Sequence, residues 1–562
     1  KGFLLLIFLG CLSSCNNWLE VSPKSQIKEE KHFSREGGFK DQLTGVYTRM
    51  STKAMYGLQM GIGFTEVLSQ NYNVDANSTT WRYATEYDYT NSTCEGIIHR
   101  IWNETYSCIA NLNILLRNID KVNPNIWSDT TNYYLYKGEA LGLRAFLHLE
   151  LMRLFACSPK MNRNAKGVPY VTEYSTDIVS QKTVDETMNL IIKDLLEAKA
   201  CLEHDILKTS ETPYTQRTLR IGYFNYYAVV ATLARAYLWN EDKQDALPQA
   251  REIIAMADTS YYSKPFNWAD YQNQHAGDKS TIDRTFTTEH IFYLEMNGWE
   301  DISDGYLKAT AGLNVLTPSE NKANDIYEVS KSLGNDYRLY NGYEHDGEKR
   351  YCTKFWYRTG SKYNGLYPII RMTESYYIAA ECLRDSDPVE AIRLLNRVRE
   401  NRGISLYPLD EHLTADEIQE EIYKEYRKEF VGEGGQLFYY YKRLNASAIE
   451  GTTVNPDKSG VRGIRELTKS PILIEIQMKK MKYVFMAMLS ILLWIGCEND
   501  GFYYHDEPRV RLVGPDIWTV GTDSLLFSFM PYPTDTLTMT MNVQAWVIGE
   551  TVGAKHGFQR PV

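Results

Sequence analysis

The sequence lacks the short motifs that place a metal ion, a nucleotide or a catalytic nucleophile. No HExxH, GxSxG, Walker A or GxGxxG pattern stands in a suitable context, and no two cysteines form a CxxC pair. The 10 histidines are scattered singly along the chain. We therefore expect no metal, no cofactor and no catalytic residue, and we do not expect an enzyme. A hydrolase pair formed by Glu86 and Asp88 is a weak alternative, because nothing else singles them out.

Basic residues are also fewer than acidic ones. The chain has 61 Lys and Arg against 71 Asp and Glu, and its formal net charge of -10 at pH 7 repels phosphate backbones. Nucleic acid is therefore not an expected partner. Cys94 and Cys108 could form a disulfide in an oxidising compartment, but buried free thiols are the expected state. Aromatic residues, in contrast, are abundant at 13%, with 42 tyrosines.

Two short apolar runs that end in cysteine indicate bacterial lipoprotein export signals. Residues 3–9 are too few to span a bilayer, and they lead to Leu-Ser-Ser-Cys15, which resembles a lipobox. A second run follows the basic residues 479–482 and ends at Gly496-Cys497. We expect lipidation at Cys15 and at Cys497. A core helix is the alternative for the second run.

An internal export signal is most simply explained by two neighbouring reading frames joined in one chain. The sequence then predicts a signal peptide and lipobox at 1–15, a ligand-binding domain at 16–477, and a second signal-like segment at 478–497. Residues 498–562 would be a truncated β-sandwich-like fragment. Their strand prediction depends on apolar residues that alternate with mostly polar ones, at Leu537, Met539, Met541, Val543, Ala545 and Val547.

The body of the chain predicts a mainly α fold built from tetratricopeptide-like helical repeats. Residues 233–238 superpose on 378–383 at a constant offset, which also places Asp242 over Asp387 and Ala246 over Ala391. In such repeats, small residues let antiparallel helices approach closely, and stacked pairs bury a shared core. Stretches rich in Tyr, Asn, Thr, Asp and Gly predict long loops able to carry function. These stretches are 70–92, 259–312 and 334–368.

Five segments in the right order resemble the SusD/RagB family of outer-membrane lipoproteins. They are residues 15–23, 138–146, 167–170, 371–399 and 425–434, the last reading Glu-Tyr-Arg-Lys-Glu-Phe-Val-Gly-Glu-Gly. Three positions depart from the family pattern: Tyr426 and Gln436 replace usual arginines, and Tyr439 replaces a usual Asp. We expect these departures to change local ion pairing and stability more than ligand choice. The tail from 478 resembles small β-rich lipoproteins encoded beside such genes.

Loop 70–92 is the predicted ligand-binding site. Sugar rings stack on aromatic faces through their CH groups, while their hydroxyls pair with amides and carboxylates. In the family, the same region commonly faces the ligand. We expect Trp81 to be the main stacking platform. Supporting aromatics are Tyr72, Tyr83, Tyr87 and Tyr89; Asn73 and Asp75 are hydrogen-bonding partners; Trp299, with Tyr306, forms a second patch. Alternatively, Trp81 and several tyrosines only fix a long loop.

The resemblance implies a lipid-anchored protein on the outer face of the outer membrane. There it would capture a glycan or oligosaccharide for a SusC-like TonB-dependent transporter. Two alternatives remain open: peptide capture by the same type of uptake complex, and a non-catalytic tetratricopeptide scaffold that binds only protein.

Overall fold

The computed structural model describes residues 29–175, 177–208, 220–258, 264–331, 335–346 and 349–449, together with strands in the C-terminal part. The chain divides into two units, Lys1–Thr468 and Lys469–Val562. Within the described residues, all helices belong to the first unit. The segments 1–15 and 478–497, with Cys15 and Cys497, lie outside the described residues.

The first unit is mainly helical, which confirms the predicted fold class. Its α-helices are α1 (Glu29–His32), α2 (Glu36–Met50), α3 (Phe64–Leu68), α4 (Arg82–Thr85), α5 (Ser92–Ile119), α6 (Thr130–Phe155), α7 (Pro159–Asn162), α8 (Val184–Cys201), α9 (Tyr226–Trp239), α10 (Lys243–Ile254), α11 (Tyr271–Gln274), α12 (Trp299–Tyr306), α13 (Glu320–Ile326), α14 (Tyr337–Tyr340), α15 (Met372–Leu383), α16 (Pro388–Glu400), α17 (Ala415–Glu429) and α18 (Gln436–Leu444). Short 3-10 helices lie at Pro124–Ile126, Leu202–His204, Lys279–Thr281, Thr287–Glu289, Ala309–Asn314 and Val329–Lys331.

The strands form small two-stranded sheets. The first unit has β1 (Ala257–Asp258), β2 (Phe266–Asn267), β3 (His290–Glu295), β4 (Tyr343–Asp346), β5 (Lys349–Cys352) and β6 (Leu366–Arg371). Strand β1 pairs with β2 in parallel, whereas β3 pairs with β6 and β4 with β5 in antiparallel fashion.

The second unit has β7 (Arg511–Leu512), β8 (Phe529–Met530), β9 (Thr540–Val547) and β10 (Glu550–Gly557). Strand β9 pairs with β10 in a hairpin, and β7 pairs with β8. The predicted strand is therefore confirmed over Thr540–Val547, and its assignment to a β-sandwich stays a prediction.

The helical repeat is confirmed at its helix starts. Asp242 precedes α10 and accepts a hydrogen bond from the backbone N–H of Asp245, while Asp387 precedes α16 and accepts one from Glu390. Both aspartates thus satisfy an N–H group that the first turn of a helix leaves unpaired. The superposed Ala246 and Ala391 are both fully buried. Sequence positions that superpose in the repeat therefore have the same structural role.

A buried network of ion pairs joins the end of α17 to the β3–β6 sheet. Glu429 Oε1 lies 2.5 Å from Arg371 Nη1 and 2.7 Å from Arg402 Nη2, and its Oε2 lies 2.8 Å from Arg338 Nη1. Burial alone would raise the pKa of Glu429, but the three arginines hold it well below its usual range. The residues 425–434 that carry the family resemblance are therefore structural.

Two of the residues that depart from the family pattern, Gln436 and Tyr439, contact Arg153. Gln436 Oε1 accepts a hydrogen bond from Arg153 Nη2 at 2.7 Å, and the guanidinium of Arg153 lies 4.0 Å from the centre of the Tyr439 ring. An amide and a ring face here contact an arginine whose other partner is Glu150, at 2.6 Å. Gln436 and Tyr439 thus both contact a charged group inside the core, and the expected effect of these departures on pairing stays a prediction.

The cysteine prediction is also resolved. Cys94 and Cys108 are both buried and carry free thiols, and burial raises the pKa of each to about 12. They therefore behave as small apolar core residues.

Candidate functional site

Loop 70–92 is held against the segment after α12, and Trp81 makes the central contact. Its indole N–H donates to the backbone carbonyl of Asn314 at 3.2 Å, and its ring meets the Tyr306 ring edge-on at 5.8 Å. The Trp81 side chain is 0% exposed. The expected exposed stacking face is therefore absent, because Trp81 packs between two segments, as the alternative interpretation of the loop has it.

Three tyrosines of the loop are likewise inside. Tyr72, Tyr87 and Tyr89 are all buried, and the hydroxyl of Tyr87 donates to the carbonyl of Leu68 at 2.9 Å. Burial raises the pKa of each phenol above its usual value. These rings present no open face to a ligand while the loop keeps this conformation.

The remaining predicted residues of the loop reach the surface. Tyr83 is half-buried beneath the Arg82 guanidinium, which lies 4.3 Å from its ring centre. Asn73 is exposed, yet its Oδ1 accepts from the backbone N–H of Ser319 at 2.7 Å. Asp75 is also exposed, and its carboxylate accepts from the N–H of Asn77. These groups are accessible, but part of their hydrogen-bonding capacity holds the loop.

Glu86 and Asp88, the alternative hydrolase pair, lie in the loop before α5. Glu86 is exposed, and one oxygen of Asp88 accepts hydrogen bonds from the backbone N–H groups of Thr90 and Asn91. Asp88 thus shapes the turn that leads into α5. Across the described ranges, no group of three or more His, Cys, Asp or Glu side chains is arranged to hold a metal ion.

Helix α12 lies between the two predicted patches. Trp299, at the start of α12, is buried and donates its indole N–H to the carbonyl of Phe355 at 2.9 Å. At the other end of this helix, Tyr306 contacts Trp81. Helix α12 therefore connects loop 70–92 with a third segment, residues 353–367.

That third segment lines a small, partly open cleft with an inner volume of about 30 Å³, which is the candidate site. Trp356 is half-buried, and its indole N–H donates to the carbonyl of Leu307 at 2.9 Å. Of the residues predicted to bind ligand, Trp299 lines the cleft. The other lining residues come from loops and from the start of β6: Ile282, Arg284, Thr285, Thr353, Lys354, Phe355, Trp356, Arg358, Ser361, Tyr363, Asn364, Gly365, Leu366 and Tyr367.

Sequence reasoning missed Trp356, Arg358, Tyr363 and Asn364 as site residues. The only signal was the assignment of 334–368 to the long loops rich in Tyr and Asn. In the structure, the Asn364 amide accepts from Arg358 N at 3.0 Å and donates to Arg358 O at 2.7 Å. This double hydrogen bond closes the loop and fixes the backbone of Arg358 at the cleft.

The chemistry of the cleft suits binding of an amphipathic ligand. Trp356 and Tyr363 are partly exposed aromatic rings, and Ser361, Arg358 and Lys354 carry hydrogen-bond donors. Flat rings beside fixed polar groups are typical of sites for ligands that have both apolar faces and polar edges.

None of the described helices is both long and apolar enough to cross a membrane.

Two long stretches of the chain match models of protein families. Residues 17–238 match a family model described as starch-binding and associating with the outer membrane, and residues 307–468 match the SusD family model. Together these matches cover more than half of the chain. A SusD-like protein of Formosa agariphila is 24% identical over 517 residues, which cover 80% of this chain and 92% of that protein.

Solved structures share the fold. A SusD superfamily protein from Bacteroides thetaiotaomicron aligns with a TM-score of 0.58 at 23% identity, covering 76% of this chain and 94% of the other. A structure named as a laminarin-binding SusD-like protein aligns with a TM-score of 0.55 at 18% identity, covering 78% and 98%.

Proposed function

This chain belongs to the SusD/RagB family of outer-membrane-associated, nutrient-binding proteins, and from that premise we propose that its cleft binds a glycan. The observation that carries the proposal is the partly exposed ring of Trp356 within a cleft that also contains Ser361 and Tyr363. A sugar ring presents a CH face and a polar edge, and such a site offers a partner for each.

The names of a similar structure and of a matching family model favour a glycan over a peptide as the ligand. One solved neighbour is named as a laminarin-binding protein, and one matching family model is described as starch-binding. Family-level glycan binding thus agrees with the aromatic and polar lining of the cleft. Asn73, Asp75 and Tyr83 remain proposed secondary contacts, since they reach the surface. Trp81, Tyr72, Tyr87 and Tyr89 could contact ligand only after local opening of loop 70–92.

The biological role that we propose is capture and delivery. Acylation of Cys15 would hold the protein on the cell surface, and a SusC-like TonB-dependent transporter would receive the glycan. The segment from 478 would be part of a second lipoprotein whose own anchor is Cys497. The lipobox-like sequence that ends at Cys15 and the family membership support this arrangement.

Calorimetric titration of the purified protein against a panel of neutral and charged oligosaccharides, and against unrelated peptides, tests the proposed binding. We expect micromolar to millimolar binding of at least one glycan and none of the peptides. Trp356→Ala should weaken glycan binding by about tenfold or more, because it removes both ring stacking and apolar contact area. Trp356→Phe keeps a ring face and should retain most of the affinity.

Trp127 supplies the matched control. It is also half-buried, but it packs against Phe39 at 5.0 Å and does not line the cleft. Trp127→Ala should leave glycan affinity unchanged in the fraction of protein that is folded. Binding of peptides in place of glycans, or equal affinity of the Trp356→Ala protein and the unmodified protein, would overturn the proposed function at this cleft.

A further inference from the structure

Three cations meet a single carboxylate at the cleft. Glu344 Oε1 lies 3.0 Å from Arg284 Nη2 and also accepts from Arg358 Nη2, while Glu344 Oε2 lies 3.2 Å from Lys279 Nζ. At neutral pH one negative charge therefore faces three positive charges. The chain as a whole has a formal net charge of -10.

The residues that line the cleft also include more basic than acidic side chains. Arg284, Lys354 and Arg358 line it, and none of its lining residues is acidic. Lys354 is neutralised within the core by Glu433. Arg284 and Arg358 share Glu344, and the buried Asp283 also acts on Arg284. Together with Lys279, three cations therefore face two carboxyl groups beside the cleft.

Every nitrogen of the Arg284 guanidinium group already has a partner within the protein. Its Nε donates to the carbonyl of Asn341 at 2.7 Å and its Nη1 to the carbonyl of Lys279 at 2.8 Å, in addition to its pairing with Glu344. Burial and the neighbouring Arg358 charge together lower the pKa of Arg284 to about 10. Repulsion between the two guanidinium groups is the expected result of one carboxylate serving both.

Arg358 is the cation whose guanidinium group remains partly accessible at the cleft. Its backbone is fixed by Asn364, and its side chain is 18% exposed. Its Nε is buried and has no hydrogen-bond partner in the described part of the chain. Its guanidinium carbon lies 5.6 Å from the Trp356 ring centre. The exposed part of this guanidinium, held beside the Trp356 ring, is suited to bind an incoming anion.

We propose that the glycan bound in this cleft carries an anionic group, a carboxylate or a sulfate ester, which Arg358 binds while the sugar ring stacks on Trp356. This inference rests on the proposed function and specifies its substrate class. An anion would add negative charge beside the three cations that pair with Glu344, which a neutral sugar cannot do.

Three probes of similar length test this inference by calorimetry: an oligogalacturonide, a sulfated galactan oligosaccharide and a neutral β-glucan oligosaccharide. We expect at least one anionic probe to bind at least tenfold more tightly than the neutral one, with affinity that falls as salt rises. The two anionic probes distinguish a carboxylate from a sulfate. Arg358→Met should weaken anion-bearing glycans at least tenfold and leave any neutral binding unchanged.

Two further variants separate charge from position. Lys362→Met removes an exposed cation from the same loop and should have little effect on affinity, while Arg358→Lys keeps the charge without the planar fork and should give intermediate affinity. If the neutral probe binds as well as the anionic ones, or if Arg358→Met leaves anionic binding unchanged, the inference is wrong and glycan binding stands. If no glycan of any class binds, the proposed function itself is wrong.

Discussion

The indole N–H of Trp81 donates to the carbonyl of Asn314, a residue 233 positions later in the chain. Ser78, three residues before Trp81, donates its hydroxyl to the side-chain oxygen of the same Asn314 at 2.9 Å. Two hydrogen bonds and the edge-on contact with Tyr306 therefore join loop 70–92 to the segment that follows α12. This polar, tyrosine-rich loop is thus a packed part of the fold.

Replacing Trp81 should therefore reduce stability. Trp81→Ala removes a fully buried ring and leaves the Asn314 carbonyl without its donor, so we expect the free energy of unfolding to fall by about 3–5 kcal/mol. Chemical denaturation measures this change. Tyr83→Ala, in the same loop but at the surface, should cost about 1 kcal/mol or less.

The opposite pattern would restore the stacking role of Trp81. A Trp81→Ala protein with normal stability and glycan affinity about tenfold lower would show that the loop opens and exposes the ring to its ligand.

The sequence predicted the repeats better than the site, for a physical reason. Asp242 and Asp387 cap helices through contacts only three residues away, so local spacing was enough to align them in the repeat. The burial of Trp81 depends on Asn314, and no local pattern reports a partner so distant. Likewise, Arg358 becomes important only when Glu344 and Arg284 are brought beside it.

The buried network around Glu429 should be sensitive to the loss of one charge. Glu429→Gln leaves Arg338, Arg371 and Arg402 without their shared anion, and we expect unfolding free energy to fall by about 3–5 kcal/mol. Glu400→Gln is the matched control, because Glu400 pairs with Arg397 at the surface. It should change stability by about 1 kcal/mol at most. Equal denaturation midpoints for the two variants would contradict this assignment.

The proposed anchor can be tested independently of the ligand. Several acyl chains on Cys15 would hold the protein at a membrane, since each buried methylene contributes about 0.8 kcal/mol. Cys15→Ala should therefore move the protein from the membrane to the soluble fraction, whereas Cys201→Ala should leave it in the membrane. A Cys15→Ala protein that stays membrane-bound and open to protease at the cell surface would rule out this anchor.

Glu66 provides a test by pH, because it is a buried carboxylate whose described hydrogen bonds come from backbone N–H groups and from the Asn71 amide. Its Oε2 accepts from the backbone N–H of Gly435 at 3.1 Å, and its Oε1 accepts from the Asn71 amide at 3.2 Å. Burial raises the pKa of Glu66 to about 7, against the opposing effect of these hydrogen bonds and of Lys354.

A raised pKa means that the folded state binds the proton more tightly than the unfolded state does. Glu66 should therefore contribute full stability below pH 4.5, its unfolded pKa, and lose roughly 3 kcal/mol as pH rises to about 7. Glu66→Gln abolishes this loss, and the Asn71 amide can rotate to accept its new N–H. The variant should gain stability over the unmodified protein between pH 4.5 and 7, as measured by urea denaturation at each pH. Glu86 is exposed, so Glu86→Gln should show no such gain in stability. If the stability difference between Glu66→Gln and the unmodified protein does not change with pH, the pKa of Glu66 is not raised.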